Sequence, residues 1–244
     1  MIRRFLATIS LVLTTALSVQ AGVLLVEKGQ PKAVIVLARN PSDQASEAAK
    51  LLQDYLARLS GARLEIQDES APVTGPQILI GRSERATELG VVVTPRLTHA
   101  MNEEEYRLKT VGNALILAGN ENPFYRGTVF AVSDLLERLG CRWFFPGKFG
   151  EVLPTLDTIE IGPLNVHERP DFRFRNIWYS GWMPVPENAA AEFAVWMDRN
   201  RMNSLIRHDH ASQQRFLQSP EVRLGEHQVV LKTAHHEIHI DRRV

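Results

Sequence analysis

Residues 119–154 read GNENPFYRGTVFAVSDLLERLGCRWFFPGKFGEVLP. This stretch holds a helix with a start and a stop, an aromatic run and a Pro/Gly exit. Asn122 suits an N-cap, because its side-chain oxygen can accept from an orphan N–H, and Pro123 has the φ of a first helical position. Val129, Val132, Leu136 and Leu139 recur three or four residues apart, with Leu135 beside them, so one face of the helix is apolar. Gly140 supplies a left-handed stop. Cys141-Arg142-Trp143-Phe144-Phe145 then reads as a short strand ended by Pro146-Gly147, with its three aromatics expected in the core.

Working back toward the N-terminus, the chain repeats this alternation. Ala33 to Ala38 is a continuous apolar, β-branched run, expected as a strand buried on both faces. Asn40-Pro41 reads as a second helix start, followed by a stripe of Ala45, Ala48, Ala49, Leu52, Leu56 and Leu59 that ends at Gly61. Arg63 to Gln67 alternates like a half-exposed strand, and Gln77 to Ile80 is a core strand. Tyr106 to Thr110, Val111-Gly112-Asn113 and Ala114 to Ala118 spell strand, turn and strand. Thr158 to Ile161 is a last strand before the Gly162-Pro163 linker. The expected fold class is α+β: a two-layer α/β sandwich, a mixed sheet with helices on one face.

The string RGTVFAVSDLLERLGCRWFFPGKFGEVLP, within residues 22–165, resembles the close of the small α/β domain that precedes the catalytic barrel in bacterial β-hexosaminidases and α-glucuronidases. The resemblance implies a glycoside hydrolase acting on oligosaccharides or polysaccharides, with carbohydrate as partner and no cofactor. From Glu168 the character changes. Phe172 to Trp178, a helix over Glu187 to Asn200, and Met202 to Ile206 make a strand–helix–strand unit, similar to the opening of the (β/α)₈ barrel in those hydrolases. A full barrel takes about 250 residues, and fewer than a third of that number follow Pro170. The expected layout is therefore a signal peptide (1–21), the small domain (22–165), the first βα units of a truncated barrel (166–216) and an irregular His-rich tail (217–244).

Site residues follow from the resemblance and from chemistry. In those families an Arg near the end of the first barrel strand, after a Pro and an aromatic, contacts the sugar; Arg175 in RPDFRFRNIW matches, and a guanidinium fork suits paired hydroxyls or a carboxylate. An Arg that ties strand to linker is the alternative. Trp178 and Trp182 offer faces on which a sugar could stack. The glucuronidase pattern has an acidic residue soon after the tryptophan, whereas Tyr179-Ser180 follows Trp178 here. His208 and His210 follow the second strand, where the families' loops line the pocket.

Glycoside hydrolysis uses two facing carboxyl groups. Only Asp209 and Glu187 lie near such positions, and the families' catalytic acids come from later strands, so no catalytic residue is assigned. Six of the eight histidines fall from His208 onward, but His236-Glu237 is followed by His239, three apart where the zinc-protease signature needs four; no metal is assigned. The rival reading is a non-catalytic carbohydrate-binding or interaction module.

Charge and termini bound the rest. With 28 basic and 28 acidic side chains, the chain has no long-range pull on polyphosphate, so nucleic acid is not an expected partner. Arg3 and Arg4, the apolar run Phe5 to Leu17 and Val19-Gln20-Ala21 make a signal-peptide pattern too short to span a bilayer. Export to the periplasm or outside the cell is expected, without stable membrane insertion. Cys141 is the single cysteine; no disulfide can form within the chain, and a free Cys of this context reads as a small buried hydrophobe.

Overall fold

The computed structural model describes residues 22–94, 104–121, 125–172, 175–177 and 189–203, with three strands at 222–224, 228–232 and 237–241. Along the chain run β1 (Val23–Glu27), β2 (Gln30–Pro31), β3 (Val34–Leu37), α1 (Asp43–Ser60), β4 (Ile66–Asp68), β5 (Gln77–Ile80), α2 (Glu84–Glu88), β6 (Tyr106–Val111) and β7 (Ala114–Gly119). Then come α3 (Gly127–Arg138), β8 (Arg142–Trp143), β9 (Glu151–Val152), β10 (Ile159–Ile161), β11 (Asn165–Glu168), α4 (Ala189–Arg199), β12 (Val222–Leu224), β13 (Gln228–Lys232) and β14 (Glu237–Asp241). The main sheet is six-stranded, ordered β11-β6-β7-β5-β3-β4. β3 is parallel to β4 and β5, and β5 to β7, while β6 is antiparallel to β7 and β11. It is the mixed sheet expected.

Strand alternation divides the core between the two faces of the sheet. Ile35, Leu37, Ile78, Ile80, Leu115 and Leu117 pack with α1 and α3. Their neighbours Val36, Leu79, Ile116 and Ala118 point the other way, onto Ala86, Val91 and Val93. The two long helices thus share one face; among the described residues the other carries short α2 and the segment after it. The alanines of α1 (Ala45, Ala48, Ala49) are almost wholly buried; such small side chains let a helix lie close to a sheet. Cys141 is fully buried and burial pushes its thiol up to about 11.

Several details depart from expectation. Helix α1 begins after Ser42, whose hydroxyl accepts the Ala45 N–H at 3.0 Å. Asn40-Pro41 therefore sits ahead of the cap rather than forming it, while Gly61 ends the helix with φ 77° as expected. Helix α3 starts at Gly127, and its flanking residue Arg126 makes no side-chain cap. The Asn122-Pro123 start lies outside the described residues. The aromatic strand is cut to Arg142–Trp143 and pairs with β9 in a separate ribbon. Trp143 is buried, but Phe144 and Phe145 are 60% and 61% exposed, so they are not core residues. The paired strand ends at Trp143, and the two phenylalanines lie past it, in the bend that leads into Pro146-Gly147.

β10 pairs with β1, which the sequence pattern missed, in a second small sheet. β11 extends the main sheet to Glu168, past the boundary expected at 165. In the stretch expected as an irregular tail, β12, β13 and β14 form an antiparallel meander. Ile238 and Ile240 of β14 recur with the period of two that makes a strand, and Val229-Val230-Leu231 of β13 is a short apolar run.

Under Trp143 lies a polar cluster that fastens the ribbon to α1. The Trp143 indole N–H donates to the Tyr55 hydroxyl at 2.9 Å, and Tyr55 and Arg58 both donate to the Glu151 carboxylate. Burial alone would raise the Glu151 carboxyl, but the bonds from Arg58, Tyr55 and Trp143, with the Arg58 charge, outweigh it and hold the group below its ordinary value. A carboxyl lowered by folding stabilises the fold above its unfolded pKa of about 4.3 and loses that contribution as pH falls through the lower folded value. Glu151→Gln is therefore expected to cost about 1–2 kcal/mol at neutral pH. In urea unfolding followed as pH is lowered, the gap from the parent chain should narrow below that unfolded value; a gap independent of pH would refute the pairing.

Candidate functional site

The described site residue is Arg175, and it stands where the sandwich meets the segment that follows. Its backbone pairs with Asn203: the Asn203 N–H donates to the Arg175 carbonyl at 2.9 Å, and the Arg175 N–H donates to Asn203 Oδ1 at 3.0 Å. The two segments expected as barrel strands therefore touch at these residues; residues 173–174 and 178 of the first and 204–206 of the second lie outside the described residues.

The Arg175 guanidinium is held on three sides. Nε donates to the Arg201 carbonyl at 3.0 Å, Nη1 to the Phe172 carbonyl at 2.6 Å, and Nη2 to the Glu104 carboxylate in an ion pair. Arg201, just past the end of α4, has φ 54°, a left-handed stop whose carbonyl the guanidinium meets. Of five guanidinium N–H groups, these contacts engage three.

Glu104, at the entrance to β6, comes from the sandwich and is 3% exposed. Besides Arg175 it accepts from Asn203 Nδ2 at 3.3 Å and from the Arg126 backbone N–H at 3.4 Å. Burial pushes its carboxyl above the ordinary range; the Arg175 charge and the bonds from Arg175, Arg126 and Asn203 pull the other way without cancelling it. Arg126 in turn pairs with Glu47 of α1 at 2.5 Å and Asp198 of α4 at 3.0 Å.

Helix α4 is seated on the same side. The Trp196 indole N–H and the Asn200 amide both donate to the Trp143 carbonyl, at 2.9 and 3.1 Å, and Arg201 pairs with Glu137 of α3 at 2.7 Å. The helix layer of the sandwich thus carries the next segment through a row of charged and amide contacts. Such partly buried pairs orient two bodies more than they bind them.

Trp178, Trp182, His208 and His210 lie outside the described residues, as do Asp209 and Glu187. Sequence reasoning missed Glu104 and Asn203. Glu104 belongs to the run Glu103-Glu104-Glu105 before a strand, a pattern that reads as a solvated turn, and only the packing shows that the middle acid is buried. Among the described residues no group of three His, Cys, Asp or Glu side chains is placed to hold a metal ion, and no described helix is long and apolar enough to cross a membrane.

No protein-family model matches the sequence, and no curated protein matches it. Among solved structures, the chain is similar to a GH115 4-O-methyl-α-glucuronidase with specificity for decorated arabinogalactans, at 16% identity and a TM-score of 0.52 over 74% of this chain. The match takes in 25% of that enzyme, so the chain spans about a quarter of its length. Two weaker likenesses are to a GH138 enzyme targeting pectin rhamnogalacturonan II (16% identity, TM-score 0.32, 45% of this chain and 14% of that one) and to the protein CpGH84D (11% identity, TM-score 0.39, 80% and 38%). Neither of these TM-scores marks a shared fold. The glucuronidase likeness is one of fold.

Proposed function

We propose that the chain is the N-terminal part of an exported glycoside hydrolase, α-glucuronidase-like or hexosaminidase-like, acting on oligosaccharides or polysaccharides. In this reading it holds the small domain and the opening of the barrel, without a complete pair of catalytic acids. The observation that supports it best is the likeness of fold to the glucuronidase across 74% of the chain. Fold does not fix reaction, so the substrate class rests on that likeness and on the match of Arg175 to the sugar-contacting Arg. Arg175, Trp178 and Trp182, with His208 and His210, are the proposed sugar-binding residues.

The rival, a non-catalytic carbohydrate-binding or interaction module, draws on one observation. The Arg175 guanidinium is already engaged by Glu104 and two carbonyls, leaving only part of its fork for a ligand.

One experiment separates them. The genomic DNA beyond the last codon is read in all frames, and the chain is incubated with 4-nitrophenyl glucuronide and N-acetylhexosaminide. A hydrolase part predicts further βα repeats bearing two acids downstream and no release of nitrophenol by this chain alone. A downstream sequence without such repeats would overturn the proposal and leave the module. For export, secreted or periplasmic product is expected to begin at Gly22 by N-terminal mass; retention of residues 1–21 would contradict it.

A further inference from the structure

The main sheet has a second place suited to a ligand, away from Arg175. After β3 the chain crosses through α1 to β4 on one side; after β5 it leaves through α2 toward β7 on the other. α1 packs on one face of the sheet and α2 on the opposite face. Between the carboxyl ends of adjacent β3 and β5 the direction of winding therefore reverses. In open α/β sheets such a switch point leaves a crevice that no connection covers. A cleft of about 880 Å³ opens there, lined by the segments that leave β3, β5 and β7, within the range of small-molecule sites.

Glu121 builds its floor. Its carboxylate accepts the Ser42 hydroxyl at 2.7 Å, the Thr128 hydroxyl at 2.8 Å and the Arg82 backbone N–H at 2.9 Å, joining all three strand ends. A second lining acid, Glu69, accepts the Arg85 backbone N–H at 3.3 Å. That leaves two exposed carboxylates, Glu84 and Glu88, and two exposed guanidiniums, Arg39 and Arg82, at the cleft. Among the described residues none of these four side chains makes a hydrogen bond or close ion pair, although the Arg39 charge also acts on Asp68 at the end of β4. Exposed Val92 and half-buried Ala38 supply an apolar wall, backed by the buried Val91, Val93 and Ala118.

We infer that this cleft is a binding site for a neutral saccharide. Carboxylates only accept and guanidiniums only donate, and exposed groups of both kinds face the cleft. An anion such as phosphate would meet two carboxylates, and a simple cation two guanidiniums. A hydroxyl both donates and accepts, so one polyol can satisfy both kinds, with its C–H face against the valine wall. The site goes beyond the proposed function: it lies on the sandwich, uses none of the residues around Arg175, and stands or falls separately from any downstream barrel.

The test is calorimetric titration of the full chain with galactotetraose and xylotetraose, beside lysine, spermidine and inorganic phosphate. One tetraose is expected to bind, about tenfold more weakly in Arg82→Ala, the loss of one charged hydrogen bond. Glu84→Gln/Glu88→Gln should weaken it similarly. Arg82 is exposed and its side chain has no partner, so the variant should unfold at the parent's temperature. Absence of binding by both sugars, an affinity unmoved by Arg82→Ala, or binding of only lysine, spermidine or phosphate would each overturn the assignment.

Discussion

Gly127→Ala is expected to unfold the chain or to lower its stability by more than about 3 kcal/mol, the upper range of overpacking. A methyl group on Gly127 would come within 2.6 Å of the Glu105 carbonyl oxygen, and one on Gly119 within 2.5 Å of the Gly127 carbonyl oxygen. The last residue of β7 and the first of α3 thus meet backbone to backbone, and neither has a side chain that could turn aside. The contact is fixed from both ends: the Gly127 N–H donates to the Asn120 carbonyl at 3.1 Å, and the Gly119 N–H to the Thr128 hydroxyl at 3.0 Å. Both glycines are buried between the sheet and its helix layer. Gly162→Ala is the control, since nothing lies within 4 Å of where its methyl group would stand. It is expected to be neutral or to stabilise by about 0.5 kcal/mol through the unfolded chain. Urea unfolding of the two variants measures the difference; similar midpoints would contradict the close approach.

Glu104→Ala is the second large effect expected, at about 3–5 kcal/mol. The substitution leaves the Arg175 guanidinium, 19% exposed, without its carboxylate. It also removes the acceptor for Asn203 Nδ2 and the Arg126 N–H. Arg175→Ala in the same background should cost far less than in the parent chain, because the charge it removes is already unpaired. Glu104→Gln separates charge from shape. The carboxyl is raised by folding, so its favourable contribution belongs to the protonated form: it is complete below the unfolded glutamate pKa of about 4.3 and is lost as pH rises through the higher folded value. Gln stands in for the protonated acid, and the variant should lack that part of the decline. Equal costs for Ala and Gln at every pH would show that burial does not govern this group.

The fold was largely legible in the sequence where periodicity and stop residues act locally. The strands at Val34–Leu37 and Gln77–Ile80, the hairpin across Gly112-Asn113 and the helix stops at Gly61 and Gly140 all follow from short-range pattern. Helix starts were less so. α1 takes the serine two residues after Asn40 as its cap, and α3 has no side-chain cap because its entry is set by the Gly119–Gly127 contact. Phe144 and Phe145 misled because an aromatic run carries no sign of where its strand ends. Of the site, Arg175 was found through its neighbours in the chain. Glu104 and Asn203 were not, since what marks them is burial against residues far away in sequence. The cleft beside Arg82 has no motif at all; it arises from strand order.

Amide hydrogen exchange of the full chain and its Glu104→Ala variant tests most directly whether a self-sufficient sandwich seats the next segment through Glu104. The amides of β3, β5 and β7 should exchange slowest in both proteins, at rates set by global unfolding. The Asn203 amide, bonded to the Arg175 carbonyl at 2.9 Å, should be protected in the parent chain and lose most of that protection in the variant, relative to the strands. An Asn203 amide that tracks the strands in both proteins, or is unprotected already in the parent chain, would contradict the seating of the segment by Glu104.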